Sequence, residues 1–510
     1  MVNILKLAFP VDRLSLLRLA RFFSHEEGTC LLYSGENKEN SNASSQLLRT
    51  KAKSCSYLAL FPVEQIWVYG NLQWKQQLNK NEKHLTLCPW EGLKRLLPSF
   101  NPNEKDSKIF KASPSHPSYF GFFGYEMGHY ADQQKSVNTN TFNPATTPDS
   151  YFQRTALVIA IDHSTGSTEL IIAEDWQEKL GTKEQQSMKQ LLDPDWWSHF
   201  LYQKDNENDN DNYNENSATR QAYLQNLCFV EKRESKSSYI SKVKRIQELI
   251  HEGDVYQANL SQQFILHSII DPLKPLNSLD PFDLFDSLTK INPAPYSAYF
   301  KLPNFAIACS SPELFLQKKG NQLLSRPIKG TIARGVTPEQ DACNRHQLLT
   351  SEKDRAELLM IVDLMRNDLG KISLPASVKT EEIWGCEAYD NVFHLVATIS
   401  SCAVPDLHPL DLIRSCFPGG SITGCPKLKA IEVIEAMENR PRGIYTGSLG
   451  YFCDNGDFEF NIAIRTAVVQ DGRIDLQLGG AIVADSDPEQ EYAETLQKGD
   501  SIFKSLGVQW

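Results

Sequence analysis

The chain has 510 residues with 41% hydrophobic and 23% charged content, which is ordinary for a globular enzyme of two domains or one large composite fold. Its net charge of −11, from 52 basic and 63 acidic residues, argues against nucleic-acid binding, which needs clustered Lys and Arg. Eleven scattered cysteines include no Cys-x-x-Cys pair, which excludes a zinc knuckle or a thioredoxin-like site.

Met1 to Phe23 interleaves Asp12, Arg13, Arg18 and Arg21 with its apolar residues, unlike a signal peptide. No apolar run reaches the length of a membrane span. Together with the cysteine usage, this leads us to expect a cytoplasmic protein with reduced thiols. Gly35–Ser45 and Asp132–Ser150 read as surface loops. The apolar, β-branched runs Ala156–Ile161 and Glu169–Ala173 read as strands. Lys204–Ser217 is almost wholly Asn, Asp, Glu and Ser, so it is expected to be a disordered loop. It divides an N-terminal part, residues 1–220, from a catalytic part, residues 221–510.

After this break, Ser238–His251 carries Ile240, Val243, Ile246, Leu249 and Ile250 at helical spacing. Further helices are expected at Asp354–Arg366, from Pro426 to Met437, and from Asp487-Pro488 onward, with Asp487 as N-cap. Ile444–Cys453 and Phe460–Val469 read as strands, the second placing Arg465 between two alanines on one face. Helices and strands mix without a βαβ repeat. The expected class is therefore α+β with large antiparallel sheets.

Four features carry chemistry. Lys329, in Ser325-Arg326-Pro327-Ile328-Lys329-Gly330-Thr331, lies among turn formers, where it is either a solvated loop lysine or, if desolvated, a neutral amine able to act as a nucleophile. Asp354 and Glu357 stand three apart on one predicted helix, and Glu491 and Glu494 on another. Each pair shares a helix face, and two such faces can meet around a hard divalent cation such as magnesium. Equally, they can be two solvated faces. His394, in an apolar segment, is either a core residue or a general acid or base if it faces a cavity. Asp363, Arg366, Asn367 and Asp368 read as caps and loop ties. Cys425 precedes Pro426, which lacks the N–H that an oxyanion hole would use, so it is no acyl-transfer nucleophile. There is no glutaminase elbow, no dinucleotide fingerprint and no phosphate loop.

In order, several motifs of this chain resemble those of the chorismate-utilising enzymes. They are Gly253-Asp254-Val255-Tyr256-Gln257-Ala258-Asn259-Leu260-Ser261, Ser311-Pro312-Glu313, Pro327–Thr331, Val362–Asp368, His394-Leu395-Val396, Pro418–Lys427, Ile464-Arg465-Thr466 and Gly479–Ser486 through Glu491 and Glu494. That family includes the large subunits of anthranilate and aminodeoxychorismate synthases and the isochorismate and salicylate synthases. The resemblance is strong over roughly the last 270 residues. It is weaker before them, through Leu31–Gly35 and Gly121-Phe122-Phe123-Gly124-Tyr125-Glu126. It implies a β-sandwich with helices packed outside.

Two positions separate the branches. Gln257 stands where the water-adding branches place a lysine base, and an amide cannot be that base. Lys329 stands where the anthranilate branch typically has alanine and the aminodeoxychorismate branch has a lysine thought to attack C2. Ala481 replaces the family's third glycine, and Cys425 its usual alanine. The resemblance thus implies conversion of chorismate and ammonia to 4-amino-4-deoxychorismate, a step toward p-aminobenzoate and folate. The alternatives are anthranilate formation for tryptophan biosynthesis, or a silent regulator that binds an aromatic metabolite.

The resemblance also implies site roles. Magnesium would be held by Glu357 and Glu494, supported by Asp354 and Glu491. Lys329 is the nucleophile, Glu313 the acid, and His394 a further catalytic residue. Arg465, Tyr445, Ser421, Thr331, Gly479 and Gly480 would bind substrate. Leu32, Ser34, Pro293 and Tyr296 form a candidate tryptophan pocket. A separate glutamine amidotransferase subunit would supply ammonia.

Overall fold

The computed structural model describes residues 2–35, 55–77, 80–86, 88–97, 116–131, 147–206, 228–268, 280–470 and 472–508. Their strands join into one antiparallel network, expressed as two sheets packed face to face. Period-two patterning builds this arrangement. Leu31, Leu58, Leu60, Ala306 and Ala308 point to one apolar cluster. Their neighbours Leu32, Ala59, Ile307 and Cys309 point to another. In the second sheet, Phe120, Phe122, Leu449 and Tyr451 join that same inner cluster. Tyr119, Phe123 and Phe452 turn outward to a third. The inner cluster fills the sandwich and the outer two lie beneath helices, as the family resemblance implies.

Helices Arg13–Phe23, Pro281–Ile291 and Pro488–Ser505 cover one outer face through Leu16, Leu19, Phe282, Phe285, Ile502 and Phe503. Helices Pro89–Leu96, Glu352–Gly370 and Pro409–Cys416 cover the other through Trp90, Leu93, Leu358, Ile361, Leu410 and Ile413. Two long strands, Cys55–Tyr69 and Ser150–Asp162, pair with each other and pass from one sheet to the other. The passage is made at Phe61, with φ 61°, and a bulge between Pro62 and Glu64. Strands from the N-terminal part pair directly with later ones: Cys30–Tyr33 with Tyr296–Lys301, and Pro117–Phe123 with Ser448–Cys453.

The four expected helices form, as Lys236–His251, Glu352–Gly370, Lys427–Glu438 and Pro488–Ser505. Pro426 is the cap of its helix rather than the first helical residue. Two strand expectations need correction. Ile444–Cys453 is a strand only from Ser448, because Thr446 takes a left-handed φ of 60°. Phe460–Val469 is not one strand: Phe458–Asn461 and Thr466–Gln470 are separated by a break at Arg465, with φ 51°. Arg465 is therefore presented by a kink, not by a strand face. The Asn-rich segment is helical through Asn206, and the rest of it, with residues 36–45 and 132–146, lies outside the described residues.

Candidate active site

Two helix N-termini define the site. Ser351 caps the Glu352–Gly370 helix, its Oγ accepting from Asp354 N–H at 3.3 Å. Asp487 caps the Pro488–Ser505 helix, accepting from Gln490 N–H at 2.9 Å, with Pro488 in the first turn. Asp354 and Glu357 lie in the first two turns of one helix, Glu491 and Glu494 in those of the other. Carboxylates are stabilised there by the positive end of the helix dipole. The helices approach through Lys353, whose Nζ is 3.9 Å from Glu357 Oε1 and 3.8 Å from Glu491 Oε1.

The Pro327–Thr331 motif runs alongside. Ile328–Ala333 is a strand paired to Val392–Cys402, with a register shift between Lys329 and Thr331. Gly330, with φ 73°, makes the shift, and a Cβ there would meet Asp354 Cγ at 3.0 Å. The bulge swings Lys329 toward the helix, bringing Nζ to 3.8 Å from Glu357 Oε2. Glu313 lies close enough to feel the Lys329 charge. Burial raises its carboxyl to about 7, against a hydrogen bond from Ser421 Oγ at 2.6 Å and the nearby Lys329 charge. A carboxyl at that value can hold a proton near neutral pH and release it.

On the opposite wall, Gly479 and Gly480 belong to the Arg473–Ile482 strand. A Cβ on Gly479 would stand 2.8 Å from Tyr445 Oη, and one on Gly480 would stand 3.3 Å from Glu491 Oε2 and 3.8 Å from Glu494 Oε1. Bare backbone is required at Gly479, where a Cβ would also stand 2.7 Å from Leu260 O, whereas at Gly480 it leaves room beside the two carboxylates. Lys498 Nζ bonds Glu494 Oε1 at 2.6 Å and Gly479 O at 3.0 Å. That pairing holds Glu494 below the usual carboxylate range, whereas burial and the charge of Glu494 push Glu491 up.

Arg465 reaches in from its kink. Its guanidinium donates to Asn292 Oδ1 at 3.1 Å, and burial lowers it to about 10. Among the described residues no carboxylate forms an ion pair with it, so its charge is open to an anionic ligand. His394 is buried against Thr331, Nδ1 to Oγ1 2.8 Å, and burial and Arg465 hold it down to about 3. Both effects favour its neutral form. Among the described residues, the fully buried Gln257 finds no partner for either amide atom, and the buried Ser261 hydroxyl none for its oxygen. Such atoms are costly unless a ligand or water meets them.

The structure therefore brings together Lys329, Glu313, Ser421, Glu357, Glu491, Glu494, Asp354, Gly480 and Lys353. Tyr445 and Gly479 adjoin them, and His394, Thr331 and Arg465 form a neighbouring group. Lys353 and Lys498 are additions to the sequence-derived set. The two lysines sit at i−4 from Glu357 and i+4 from Glu494, a spacing that could have flagged them. Among the described residues no three carboxylate, histidine or cysteine side chains converge into a metal shell by themselves. The donors nevertheless suit a hard cation, which commonly takes one or two carboxylates, water and a substrate oxygen.

Asp368 is fully buried and bonds Lys427 at 2.5 Å and Lys371 at 3.0 Å, a structural tie as expected. Leu32 pairs with Ala298, Ser34 N–H bonds Ser56 Oγ at 2.9 Å, and Gly35 N–H bonds Ala294 O at 3.1 Å. This brings the Leu31–Gly35 motif against the Pro293–Tyr296 segment.

The model of the chorismate binding enzyme family matches residues 45–504, and the chain belongs to that family. It is 34% identical to an aminodeoxychorismate synthase, chloroplastic, from Arabidopsis thaliana, over 80% of this chain and 42% of that protein. It is 40% identical to aminodeoxychorismate synthase component 1 of Bacillus subtilis, over 53% of this chain and 56% of that protein. The chain thus spans about half the length of these curated relatives. The crystal structure of anthranilate synthase component I from Streptococcus pneumoniae shares the fold, with TM-score 0.67 and 24% identity over 92% of this chain and 95% of that one. Among the described residues no helix is long and apolar enough to cross a membrane.

Proposed function

We propose that this chain converts chorismate and ammonia to 4-amino-4-deoxychorismate. The observation that carries this reading is Lys329 itself, 3.8 Å from Glu357 and close to the buried Glu313. The names of the relatives in Arabidopsis and Bacillus support it.

Arg465 pairs with one carboxylate of chorismate, and Tyr445 with the Gly479 and Gly480 backbone positions the ring. Magnesium, held by Glu357 and Glu494 with Glu491 and Asp354 in support, would draw electron density from the ring through the other carboxylate. Lys329, after giving up its proton, adds through Nζ at C2. The ring double bonds shift, and the C4 hydroxyl leaves as water with the proton of Glu313. Ammonia then forms the C4–N bond, the double bonds return, the C2–Nζ bond breaks with its electron pair going to Nζ, and the new C4 ammonium returns a proton to the Glu313 carboxylate. The pyruvyl ether stays in place. Thr331 and neutral His394 hold the lysine strand in register by their mutual hydrogen bond.

Ammonia comes from a glutamine amidotransferase subunit, a reading supported by the name component 1 of the Bacillus relative and by the lack of a recognisable glutaminase elbow in this sequence. Alone, the chain uses ammonium salts, faster toward the ammonium pKa, and ignores glutamine. With that subunit, glutamine replaces ammonium at neutral pH. Turnover of glutamine by the chain alone at pH 7 would contradict this division of labour. The residue-level test is Lys329→Ala, which should reduce C4 amination at least a hundredfold and leave any residual activity as amination at C2. Undiminished C4 amination would refute the covalent scheme.

A further inference from the structure

Gly121–Glu126, a motif of the N-terminal part, has no role in the chemistry above, yet it sits against the turn that carries Tyr445. The strand Pro117–Phe123 leads into a 3-10 turn, Tyr125–Tyr130. Glu126 Oε1 accepts from Arg442 N–H at 2.7 Å and its Oε2 from Gly443 N–H at 3.0 Å. Tyr125 N–H donates back to Gly443 O at 2.7 Å. The two backbones touch: a Cβ on Gly447 would stand 2.2 Å from Phe123 O, and one on Gly124 3.1 Å from Gly443 O.

The turn so held is an uncommon one. Gly443 and Thr446 both have left-handed φ, 62° and 60°. A threonine persists there only where its surroundings enforce it. Arg442 supplies part of that enforcement, bonding Glu438, Ile422 O and Asn259 O, and stacking 4.7 Å above the Tyr125 ring. The outcome is Tyr445 held with its hydroxyl over bare Gly479.

We propose that Glu126 is a positioning residue for substrate: its carboxylate fixes the Arg442–Gly447 turn and thereby the distance between Tyr445 and Gly479. A carboxylate can receive two successive amides, whereas glutamine offers one acceptor and turns an NH2 toward the other N–H. The proposal rests on the reading of Tyr445 as a substrate contact. A purely architectural staple would instead affect stability alone.

The test compares Glu126→Gln with Glu435→Gln in the full chain. Glu435 pairs with His129 of the same 3-10 turn at 2.9 Å but touches neither amide. Hydrogen exchange by mass spectrometry reads the 440–447 backbone directly. Chorismate binding with magnesium but without ammonium, and then KM and kcat with ammonium, read the consequence. In Glu126→Gln, exchange at Arg442 and Gly443 should accelerate. The Kd and KM for chorismate should rise about tenfold, with kcat lowered less than twofold and a melting temperature close to that of Glu435→Gln. Unchanged exchange, unchanged Kd and KM, equal losses in the two variants, or failure of Glu126→Gln to fold would each overturn the proposal. Absence of chorismate binding by the unaltered chain would instead reject the functional reading, leaving the exchange result to judge the clamp.

Discussion

On the proposed mechanism, Glu313 links protonation to both activity and stability. Its folded value of about 7 lies above the ordinary 4.5 because burial disfavours the charged form. The unfolded chain therefore loses this proton first as pH rises. The contribution is fully present below about 4.5 and is lost between there and 7, on the order of 3 kcal/mol for so buried a group. Glu126, raised to about 7 by the same cause, adds to the trend. We expect stability against urea to fall from pH 5 to pH 7.5, and to fall less in Glu313→Gln. An unchanged pH dependence in that variant would contradict the assignment. Removing the Ser421 hydroxyl removes a bond that lowers the Glu313 value, so Ser421→Ala should shift the alkaline limb of kcat upward. The measurement is a pH profile with neutral ammonia held constant, and a downward shift would be the contrary result. Spacing and neighbours picked out Lys329 and the acidic pairs, and the family resemblance picked out Glu313; the structure places these side chains close together. The neutral form of His394 was not legible, since it depends on burial and on Arg465, which is 71 residues away in sequence.

At the level of elements, helices were the most legible. Their periodicity and caps are local: Asp487, Pro488 and the i, i+3 carboxylates all lie within one stretch of chain. Asp487→Ala should cost roughly 1 kcal/mol in denaturant unfolding. It should also weaken magnesium binding, because Glu491 and Glu494 ride on the turns that follow. A loss of stability without any loss of affinity would separate the cap from the site. Glu357→Gln and Glu494→Gln should each weaken magnesium binding at least tenfold by calorimetry while retaining the fold, since each removes a full charge from a hard-cation site. Unaltered affinity would refute the metal assignment. The strands at 444–453 and 460–469 were misread because both contain left-handed residues, Thr446 and Arg465, that no sequence pattern announces. Both interruptions fall where the site needs a side chain turned inward. Local pattern and tertiary demand disagree most at such functional points.

For the molecule as a whole, the lack of a βαβ repeat pointed to antiparallel sheets, and the family resemblance implied helices packed outside. Neither could foretell that Cys55–Tyr69 and Ser150–Asp162 would cross between the sheets, because that depends on a bulge and one positive φ. The pairing of Pro117–Phe123 with Ser448–Cys453 likewise joins segments more than 300 residues apart, a contact set by the assembled sandwich. These crossings bind the N-terminal part to the walls of the site. The central claim is that this site aminates chorismate at C4 with the pyruvyl ether retained. The most direct measurement incubates the pure chain with chorismate, magnesium and 15N-ammonium at alkaline pH and identifies the product by mass. The account predicts a labelled amine at C4 on an intact enolpyruvyl ring. Labelled anthranilate with released pyruvate, unlabelled isochorismate, or no turnover would contradict it.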